Sequence, residues 1–479
     1  MNIRYLGKMT RNKILFSLLS LLFIVPLQAQ TIDEARALYA HNKYEEAKPM
    51  FEKFLKSYPN NPNYNFWYGV SALKTGESDK AIKPLELANK RRVPDAAYYL
   101  GQAYLANYQF DEAVDVLESY IKTQQRRKKD TSDLEDLLQQ TKLNQRMLKG
   151  VEQVIVIDSI VVDKADFIQN YKLSEESGSL TYITNQEVDS TGQKPILYQT
   201  ERGNKRYLSK KNASGFYQLF AQTKLGEEWT EEKALSDLNK DSINTSYPFV
   251  LNDGITLFYA SDSQELMGGY DILVTRYNTN TDGYLVPENV GMPFNSFYND
   301  YMYVIDEFNN LGWFASDRFQ PKDKVCIYIF IPNKVKRTYD FETTPIEELR
   351  NLAALKNIKL TWKDKKAVED GLQRLKFAIN YQPKQTNNAD FNFIVNDQFV
   401  YTSLRDFKSN KAREEFIKYQ VMEKDLTSQK DKLKNLRIQF EKNPDKQKAP
   451  AILDLEKRVS IMHHEMQQQA KLIRSLELQ

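Results

Sequence analysis

The sequence predicts a multidomain protein of α and β structure, in which a helical repeat array precedes a β-rich region and a pair of long helices. Three observations support this prediction. Small residues recur at positions 35, 69 and 101 inside helix-patterned segments. A strand–turn–strand unit recurs between residues 196 and 406. Apolar residues at alternating spacings of three and four run from residue 419 to residue 476.

The first 29 residues are typical of a secretory signal peptide. Basic residues and no acidic residue precede an apolar run from Ile14 to Val25, which is short for a membrane span. Pro26 ends the run, and we expect cleavage after Ala29 and export of the remainder. An uncleaved signal anchor is the alternative. The chain has one cysteine, Cys326, so it has no internal disulfide despite the expected export.

The charge of the chain excludes one class of partner. The formal net charge is +3, and the leader carries four of the positive charges, on Arg4, Lys8, Arg11 and Lys13. The remainder is therefore close to neutral and has no global attraction for nucleic acid or anionic lipid. Aromatic residues make up 12% of the chain. Because Tyr and Phe favour half-buried pleated surfaces, we expect substantial β structure.

Residues 30–150 are predicted to form helical repeats. The small residues Ala35, Gly69 and Gly101 are each followed twelve residues later by an alanine and sixteen residues later by a large apolar residue. Two antiparallel helices that cross closely need a small side chain at the crossing. Each pair leaves an apolar face uncovered, so neighbouring pairs must stack. The segment from Leu134 to Leu148 is expected to supply a capping helix.

This pattern resembles the tetratricopeptide repeat family over three repeats, with departures at Pro49, Ala72 and Pro84. The resemblance implies an α-solenoid whose concave groove is lined by the first helix of each repeat and binds other proteins. Packing between helices is the alternative role for each groove residue. The partner-binding candidates that the resemblance places in the groove are Arg36, Tyr39, Phe66, Val70, Lys74, Tyr98 and Gln102, with Ile32, Leu73 and Leu105 beside them.

Residues 151–408 are predicted to be mostly strands. The segment from Gln153 to Val162 reads as a strand, and hairpin units then span residues 247–262, 303–317 and 391–406, with a weaker copy at 196–209. The first of these contains an Asn-Asp-Gly turn, which favours a tight hairpin. Residues 345–380 read as a helical insert. Cys326 alternates with apolar neighbours and is expected to be a buried strand residue.

The Ala-Ser-Asp ending of these hairpins and the following Gly-Gly-Tyr-Asp-Ile at 268–272 resemble the propeller repeats of TolB and other bacterial envelope proteins. The resemblance implies about four β-propeller blades, in a ring that need not close. It also implies that Asp262, Asp317 and Asp406 hold turns between blades, with a converging carboxylate ring as the functional alternative. An open array would expose strand edges that need a cover or a partner.

Residues 409–479 are predicted to form an antiparallel coiled-coil hairpin of two helices, broken near Pro444. Gln429 and Gln469 fall at seam positions and are expected to hydrogen-bond across the seam or to set its register. His463 and His464 are adjacent, so at most one of them can face the seam, and they are interpreted as residues of the solvated helix surface rather than as metal ligands.

The sequence contains no motif for nucleophilic, metal-dependent or phosphate-binding chemistry, so no catalytic residue, metal or cofactor is predicted. Helical repeats joined to TolB-like repeats resemble Bacteroidetes cell-envelope proteins, including type IX secretion accessory proteins, although the usual C-terminal OmpA-like domain is replaced here by the hairpin. The resemblance implies a non-enzymatic periplasmic adaptor that binds proteins of an outer-membrane assembly or secretion complex, with peripheral membrane association at most. The alternatives are a propeller that binds a glycan or peptide, and a carboxylate-dependent hydrolase.

Overall fold

The computed structural model describes residues 31–183, 193–225, 228–263, 265–380, 391, 393–396, 399–442 and 449–477. The leader and its expected cleavage site lie outside these ranges. Contacts divide the chain into two compact units, one up to Asn107 together with Asp115–Arg127, and one made of Tyr108–Val114 and Lys128–Gln479. Within the described ranges, no helix has both the length and the apolar character that a membrane crossing requires.

The N-terminal helices form three successive pairs, as the repeat pattern predicts. The helices are α1 (Ile32–Ala40), α2 (Tyr44–Ser57), α3 (Pro62–Lys74), α4 (Ser78–Lys90), α5 (Ala96–Ala106) and α6 (Phe110–Arg126). Thr31 and Asn61 cap the first helices of two pairs, each accepting a hydrogen bond from a backbone N–H of the first turn.

The small residues lie at the helix crossings. A Cβ atom added to Gly69 would lie 2.7 Å from Cγ of Leu85, and one added to Gly101 would lie 2.7 Å from Cδ2 of Leu117. Ala35, at the same place in the first pair, is fully buried. The prediction that these positions must be small is therefore confirmed, because a larger side chain would push the paired helices apart.

The connection inside each pair also repeats. Asn42, Gly76 and Tyr108 each follow the small residue of their pair by seven positions, and each has a positive φ between 60° and 81°. A left-handed residue at this place ends the first helix and lets the chain reverse.

The remaining elements form the second unit. Its helices are α7 (Ser132–Leu148), α8 (Ile346–Ala354), α9 (Lys365–Asn380), α10 (Asn410–Lys442) and α11 (Ala449–Glu477). Its strands are β1 (Ile155–Asp163), β2 (Ser179–Tyr182), β3 (Ile196–Gln199), β4 (Lys205–Lys211), β5 (Tyr217–Leu225), β6 (Glu228–Trp229), β7 (Lys233–Ala234), β8 (Thr245–Val250), β9 (Thr256–Ser261), β10 (Asp271–Asn278), β11 (Gly283–Tyr284), β12 (Glu288–Asn289), β13 (Asp300–Asp306), β14 (Leu311–Ser316), β15 (Lys324–Ile331), β16 (Phe393–Asn396) and β17 (Phe399–Tyr401).

The described strands form three larger antiparallel sheets and one separate hairpin. The sheets have the orders β2-β3-β4-β5-β6, β11-β10-β9-β8 and β1-β15-β14-β13, with β7 paired to β5 and β12 paired to β10. β1 completes the third sheet by pairing along β15, from Ile155 opposite Ile331 to Asp163 opposite Lys324. The first strand of this region is thus the outer strand of its last sheet.

One hydrophobic core joins the three sheets, and it includes Tyr198, Phe249, Trp313 and Phe330. The helical insert covers the third sheet. Nε1 of Trp362 donates to the carbonyl of Val156 over 2.7 Å, and Gly371 of α9 lies against Ile157 and Ile331. Cys326 is buried within β15, as the alternation of its neighbours predicts, and burial raises the pKa of its thiol.

The unit at 391–406 is not a blade, so the expectation of about four blades is wrong for the part of the chain that the structure describes. Its strands β16 and β17 pair only with each other. Phe393 packs on Phe416 of α10 with ring centroids 4.8 Å apart, and Tyr401 donates to Oε1 of Glu477 over 2.7 Å. The hairpin therefore belongs with the C-terminal helices, and the described sheets form no closed propeller.

The helices α10 and α11 pack as the predicted antiparallel pair. Their seam buries residues of the expected spacing, namely Leu426, Leu433, Ile452, Leu455 and Val459. Gln469 donates across the seam to Oε2 of Glu415 over 2.6 Å. The interpretation of His463 as a solvated surface residue is wrong, because its side chain is buried, whereas His464 is exposed.

Candidate functional site

The repeats carry a set of half-buried aromatic rings, four on the first helices of the pairs and two on the second helices. We name this set the aromatic face; it consists of Tyr39, Tyr44, Phe66, Tyr98, Tyr99 and Tyr120.

Ring-to-ring contacts link its members within the first unit. Tyr39 meets Tyr44 at 5.5 Å between centroids. Tyr99 meets Phe66 at 5.8 Å and Tyr98 at 5.2 Å. Tyr98 meets Tyr120 at 6.5 Å. Tyr99 also contributes to the raised pKa of Tyr39, so the pair and the run lie near each other. The contacts are edge-to-face or tilted, which is the favoured arrangement for aromatic pairs.

Charged groups border the aromatic face. Nζ of Lys74 lies 5.8 Å from the ring of Tyr99 in the face, and the guanidinium of Arg36, three residues before Tyr39, lies 5.2 Å from the ring of Trp67 outside it, both within cation–π range. Both cations are exposed. Asp95 accepts a hydrogen bond from the hydroxyl of Tyr120 over 2.7 Å. The surface therefore offers rings held by neighbours beside cations that remain open to solvent.

The hydroxyls of Tyr39, Tyr99 and Tyr120 stay protonated at neutral pH. Burial raises the pKa of Tyr120 to about 12, and the hydrogen bond to Asp95 adds to the effect. Burial also raises the pKa of Tyr39 and of Tyr99. A protonated phenol hydroxyl can donate a hydrogen bond to a ligand while its ring supplies apolar area. The hydroxyls of Tyr44 and Tyr120 already donate to Asn42 and Asp95.

The structure separates the predicted groove residues into two groups. Val70 and Leu105 are fully buried, so they support the repeats from within and present no surface to a partner. The remaining candidates keep exposed area, namely Ile32, Arg36, Tyr39, Phe66, Leu73, Lys74, Tyr98 and Gln102. The sequence interpretation missed Tyr44, Tyr99 and Tyr120. Tyr99 could have been identified, since it directly follows Tyr98. Tyr44 and Tyr120 lie on the second helices of their pairs, which the resemblance does not place in the groove.

The aspartates that end the hairpins hold backbone and side-chain amides of neighbouring strands. Asp262 accepts from the backbone N–H and the side-chain amide of Asn244 over 2.7 and 2.6 Å. Asp317 does the same with Asn299, over 2.9 Å in both cases. Asp406 instead caps a short 3-10 helix through the backbone of Thr402 and Ser403. Within the described ranges, no group of three or more His, Cys, Asp or Glu residues is placed to hold a metal ion.

One comparison with known proteins gives a match. The family model described as anaphase-promoting complex, cyclosome, subunit 3 matches residues 40–120, a minority of the chain. This model describes tetratricopeptide-like repeats, so the match supports the repeat assignment for α2 to α6. Repeats of this kind generally mediate protein–protein interactions. No similarity to a curated protein or to a solved structure was found.

Proposed function

We propose that this chain is a non-enzymatic adaptor of the cell envelope that binds a partner protein on the aromatic face. The observation that carries the proposal is the packing of its half-buried rings, of which four (Phe66, Tyr99, Tyr98 and Tyr120) form a run and two (Tyr39 and Tyr44) form a pair, with centroids 5.2 to 6.5 Å apart.

The chemistry of the face suits a protein partner. Tyr, Trp and Arg side chains dominate binding energy at interfaces, because they bury a large area while freezing few rotatable bonds. The rings are already held by their neighbours, so binding orders little that is not ordered beforehand. Arg36 and Lys74 at the border favour a partner segment with acidic or carbonyl groups beside its apolar residues.

The proposed location is the periplasm, in association with an outer-membrane assembly or secretion complex. The basic and then apolar leader supports export, and the resemblance to TolB-like envelope repeats supports the compartment. Mass analysis of the mature N-terminus tests export, since cleavage after Ala29 leaves a chain that begins at Gln30. A mature chain that still carries Met1 would refute this part of the proposal.

We also propose that the three larger sheets are propeller-type blades. Each is antiparallel and meanders, and β1 adds an outer strand to the last sheet. No cofactor is part of the proposal.

Partner capture by the full-length chain tests the binding site. The double variant Phe66→Ala/Tyr98→Ala removes two rings of the aromatic face. We expect it to weaken partner binding about thirtyfold or more, corresponding to about 2 kcal/mol. The matched control is Tyr58→Ala, since Tyr58 is an exposed tyrosine of the same unit outside the face.

A truncation after Asn380 removes the β16–β17 hairpin together with α10 and α11, which pack on it. If the double variant stays folded and retains its partners while the truncated chain loses them, the aromatic face is not the binding site.

A further inference from the structure

The second helices of the three pairs end at one edge of the repeat array. Short turns join successive helices, so the helices alternate in direction, and α2, α4 and α6 all run the same way. Contacts support this arrangement. The ring of Tyr58, after α2, lies 6.1 Å from that of Tyr64 in α3, and Asp95, before α5, accepts from the hydroxyl of Tyr120 in α6. We name this surface the basic edge; it consists of residues 53–61, 90–94 and 122–127.

The basic edge carries an excess of positive charge. Its three segments contain eight Lys and Arg residues and no Asp or Glu. All eight side chains are exposed, and within the described ranges none of them forms an ion pair. They are Lys53, Lys56, Lys90, Arg91, Arg92, Lys122, Arg126 and Arg127.

The acidic residues that flank the three segments do not cancel this charge. There are four of them against eight cations, namely Glu52, Glu86, Asp95 and Glu118. Glu86 and Asp95 also accept hydrogen bonds from the hydroxyls of Tyr104 and Tyr120, both over 2.7 Å. The edge therefore keeps a net positive charge that lies open to solvent.

Helix dipoles explain only part of this pattern. They favour cations where α2, α4 and α6 end, but they equally favour acidic residues where α3 and α5 begin at the same edge. The first turns of α3 and α5 contain no acidic residue. Among the first helices of the pairs, only α1 has acidic residues in its first turn, Asp33 and Glu34, and Asp33 lies 3.5 Å from Nη1 of Arg36. The basic edge is thus more positive than the helix ends require.

An exposed aromatic ring lies among these cations. Tyr58 directly follows α2, and 59% of its surface is exposed. Pro59 and Pro94, in the two turns, are exposed as well. Tyrosine is enriched where a bilayer meets water, because its ring enters the apolar boundary while its hydroxyl stays hydrated.

We propose that the basic edge binds the surface of a bilayer that contains anionic phospholipids. Exposed cations on turns reach the headgroups without a change in the fold, and each one near the surface adds to the attraction. Screening limits this attraction to roughly 8 to 10 Å at physiological salt, so the local charge of the edge outweighs the near-neutral charge of the whole chain. The cations are spread over three segments, which suits a continuous layer of headgroups better than a single acidic peptide. The proposal goes beyond partner binding, because no residue of the basic edge belongs to the aromatic face.

Co-sedimentation with vesicles tests the proposal, using a chain that begins at Gln30 because the leader is itself basic and apolar. We expect binding to vesicles of phosphatidylcholine with phosphatidylglycerol, little binding to pure phosphatidylcholine, and release as NaCl is added. Arg91→Gln/Arg92→Gln and Arg126→Gln/Arg127→Gln should each weaken binding about tenfold. Arg91→Lys/Arg92→Lys should retain it, since a charged layer requires the charge and not the bidentate geometry of arginine. Tyr58→Ala should weaken binding severalfold without changing its dependence on salt.

The matched control is Lys424→Gln/Lys432→Gln, which removes the same charge from exposed positions of α10 in the second unit and should leave vesicle binding unchanged. Phe66→Ala/Tyr98→Ala should also bind vesicles normally, so vesicle binding and partner capture fail separately. The proposal is overturned if the anionic vesicles are not bound, and binding of polyglutamate in that case would assign the edge to an acidic protein segment. It is also overturned if the control weakens binding as much as the arginine-to-glutamine pairs do. Thermal melts of each variant confirm that the chain is folded in every comparison.

Discussion

The guanidinium of Arg318 donates from Nη2 to Oδ1 of Asp300 over 2.6 Å, and neither side chain has any surface exposed to solvent. The same guanidinium donates to the carbonyls of Pro293 and Phe294 over 2.8 and 2.9 Å. Asp300 in turn accepts from the backbone N–H and the hydroxyl of Ser296. This buried ion pair links the segment before β13 to the segment after β14. Each of the two side chains also has further hydrogen-bond partners.

Breaking this pair from one side should cost about 3 to 5 kcal/mol, because Asp300→Ala leaves a buried guanidinium without its counter-charge. Urea unfolding of the full-length chain measures the loss. The control is Lys324→Ala, which breaks an exposed ion pair of similar length with Asp163 and should cost less than about 1 kcal/mol. Equal losses in the two variants would mean that burial does not set the strength of this pair.

The hairpin aspartates should differ in importance, although their local sequences are alike. Asp317→Ala removes the acceptor for Asn299, for the hydroxyl of Tyr301 and for Nζ of Lys164, and we expect a loss of about 2 to 4 kcal/mol. Asp406→Ala removes only an exposed cap and should cost about 1 kcal/mol. Chemical denaturation of both variants measures the two losses of stability. A larger loss for Asp406→Ala than for Asp317→Ala would contradict the different roles of the two aspartates.

A methyl group at the crossing of the third helix pair should destabilise it. Gly101→Ala places Cβ 2.7 Å from Leu117, and overpacking of this kind costs about 1 to 3 kcal/mol, which outweighs the better helix propensity of Ala. Gly150→Ala is the control, since the nearest atom lies 3.8 Å from the added Cβ. Adding Leu117→Val to Gly101→Ala should restore part of the lost stability in a thermal melt. If the double variant is no more stable than Gly101→Ala, the contact with Leu117 is not the cause of the destabilisation.

The contact between Glu201 and His463 should depend on pH. Burial alone would raise the pKa of Glu201, but the hydrogen bond and charge of His463, together with the charges of Lys430 and Arg202, lower it below 4.5. A carboxyl whose pKa is lower in the folded state adds stability above pH 4.5, and this stability disappears as the pH falls through the folded value. Glu201→Gln should therefore cost about 1 to 2 kcal/mol at pH 7 and little at pH 3. An unchanged difference between the two pH values in urea melts would refute the assignment.

The repeats should fold without the rest of the chain, because repeat arrays are stabilised by contacts between neighbours. A fragment of residues 30–150 is expected to show a helical circular dichroism spectrum and a cooperative melt. Its midpoint should be lower than that of the full chain, since the cut removes the carbonyl of Met267, to which Nδ2 of Asn144 donates over 2.8 Å. A fragment of residues 30–127 with the same midpoint would show that α7 does not cap the array.

Much of the local structure could be predicted from the sequence. The helix pairs follow from apolar periodicity and from small residues at fixed spacing, and the C-terminal seam follows from alternating spacings of three and four. Cys326 and Gln469 were placed correctly for the same reason, because burial or exposure within a regular element depends on its period.

The candidate site was predictable in part. The resemblance to tetratricopeptide repeats placed Tyr39, Phe66 and Tyr98 on the groove side of the first helices. Tyr44 and Tyr120 were missed because they lie on the second helices, and only the packing of one helix on another brings them to the same surface. The burial of Val70 likewise depends on how closely neighbouring helices pack.

What the sequence by itself determined is the type and order of the elements, since helix periodicity and turn chemistry act over a few residues. The tertiary structure alone decided which elements meet. The hairpin at 391–406 resembles the other hairpin units in sequence. In the structure, however, Phe393 packs on Phe416 of α10, and the hairpin joins none of the three larger sheets. His463 is buried because Glu201 lies opposite it, and β1 pairs with β15 across 161 residues between Asp163 and Lys324. Such partners are chosen by burial and charge pairing between distant segments, and no local pattern specifies them.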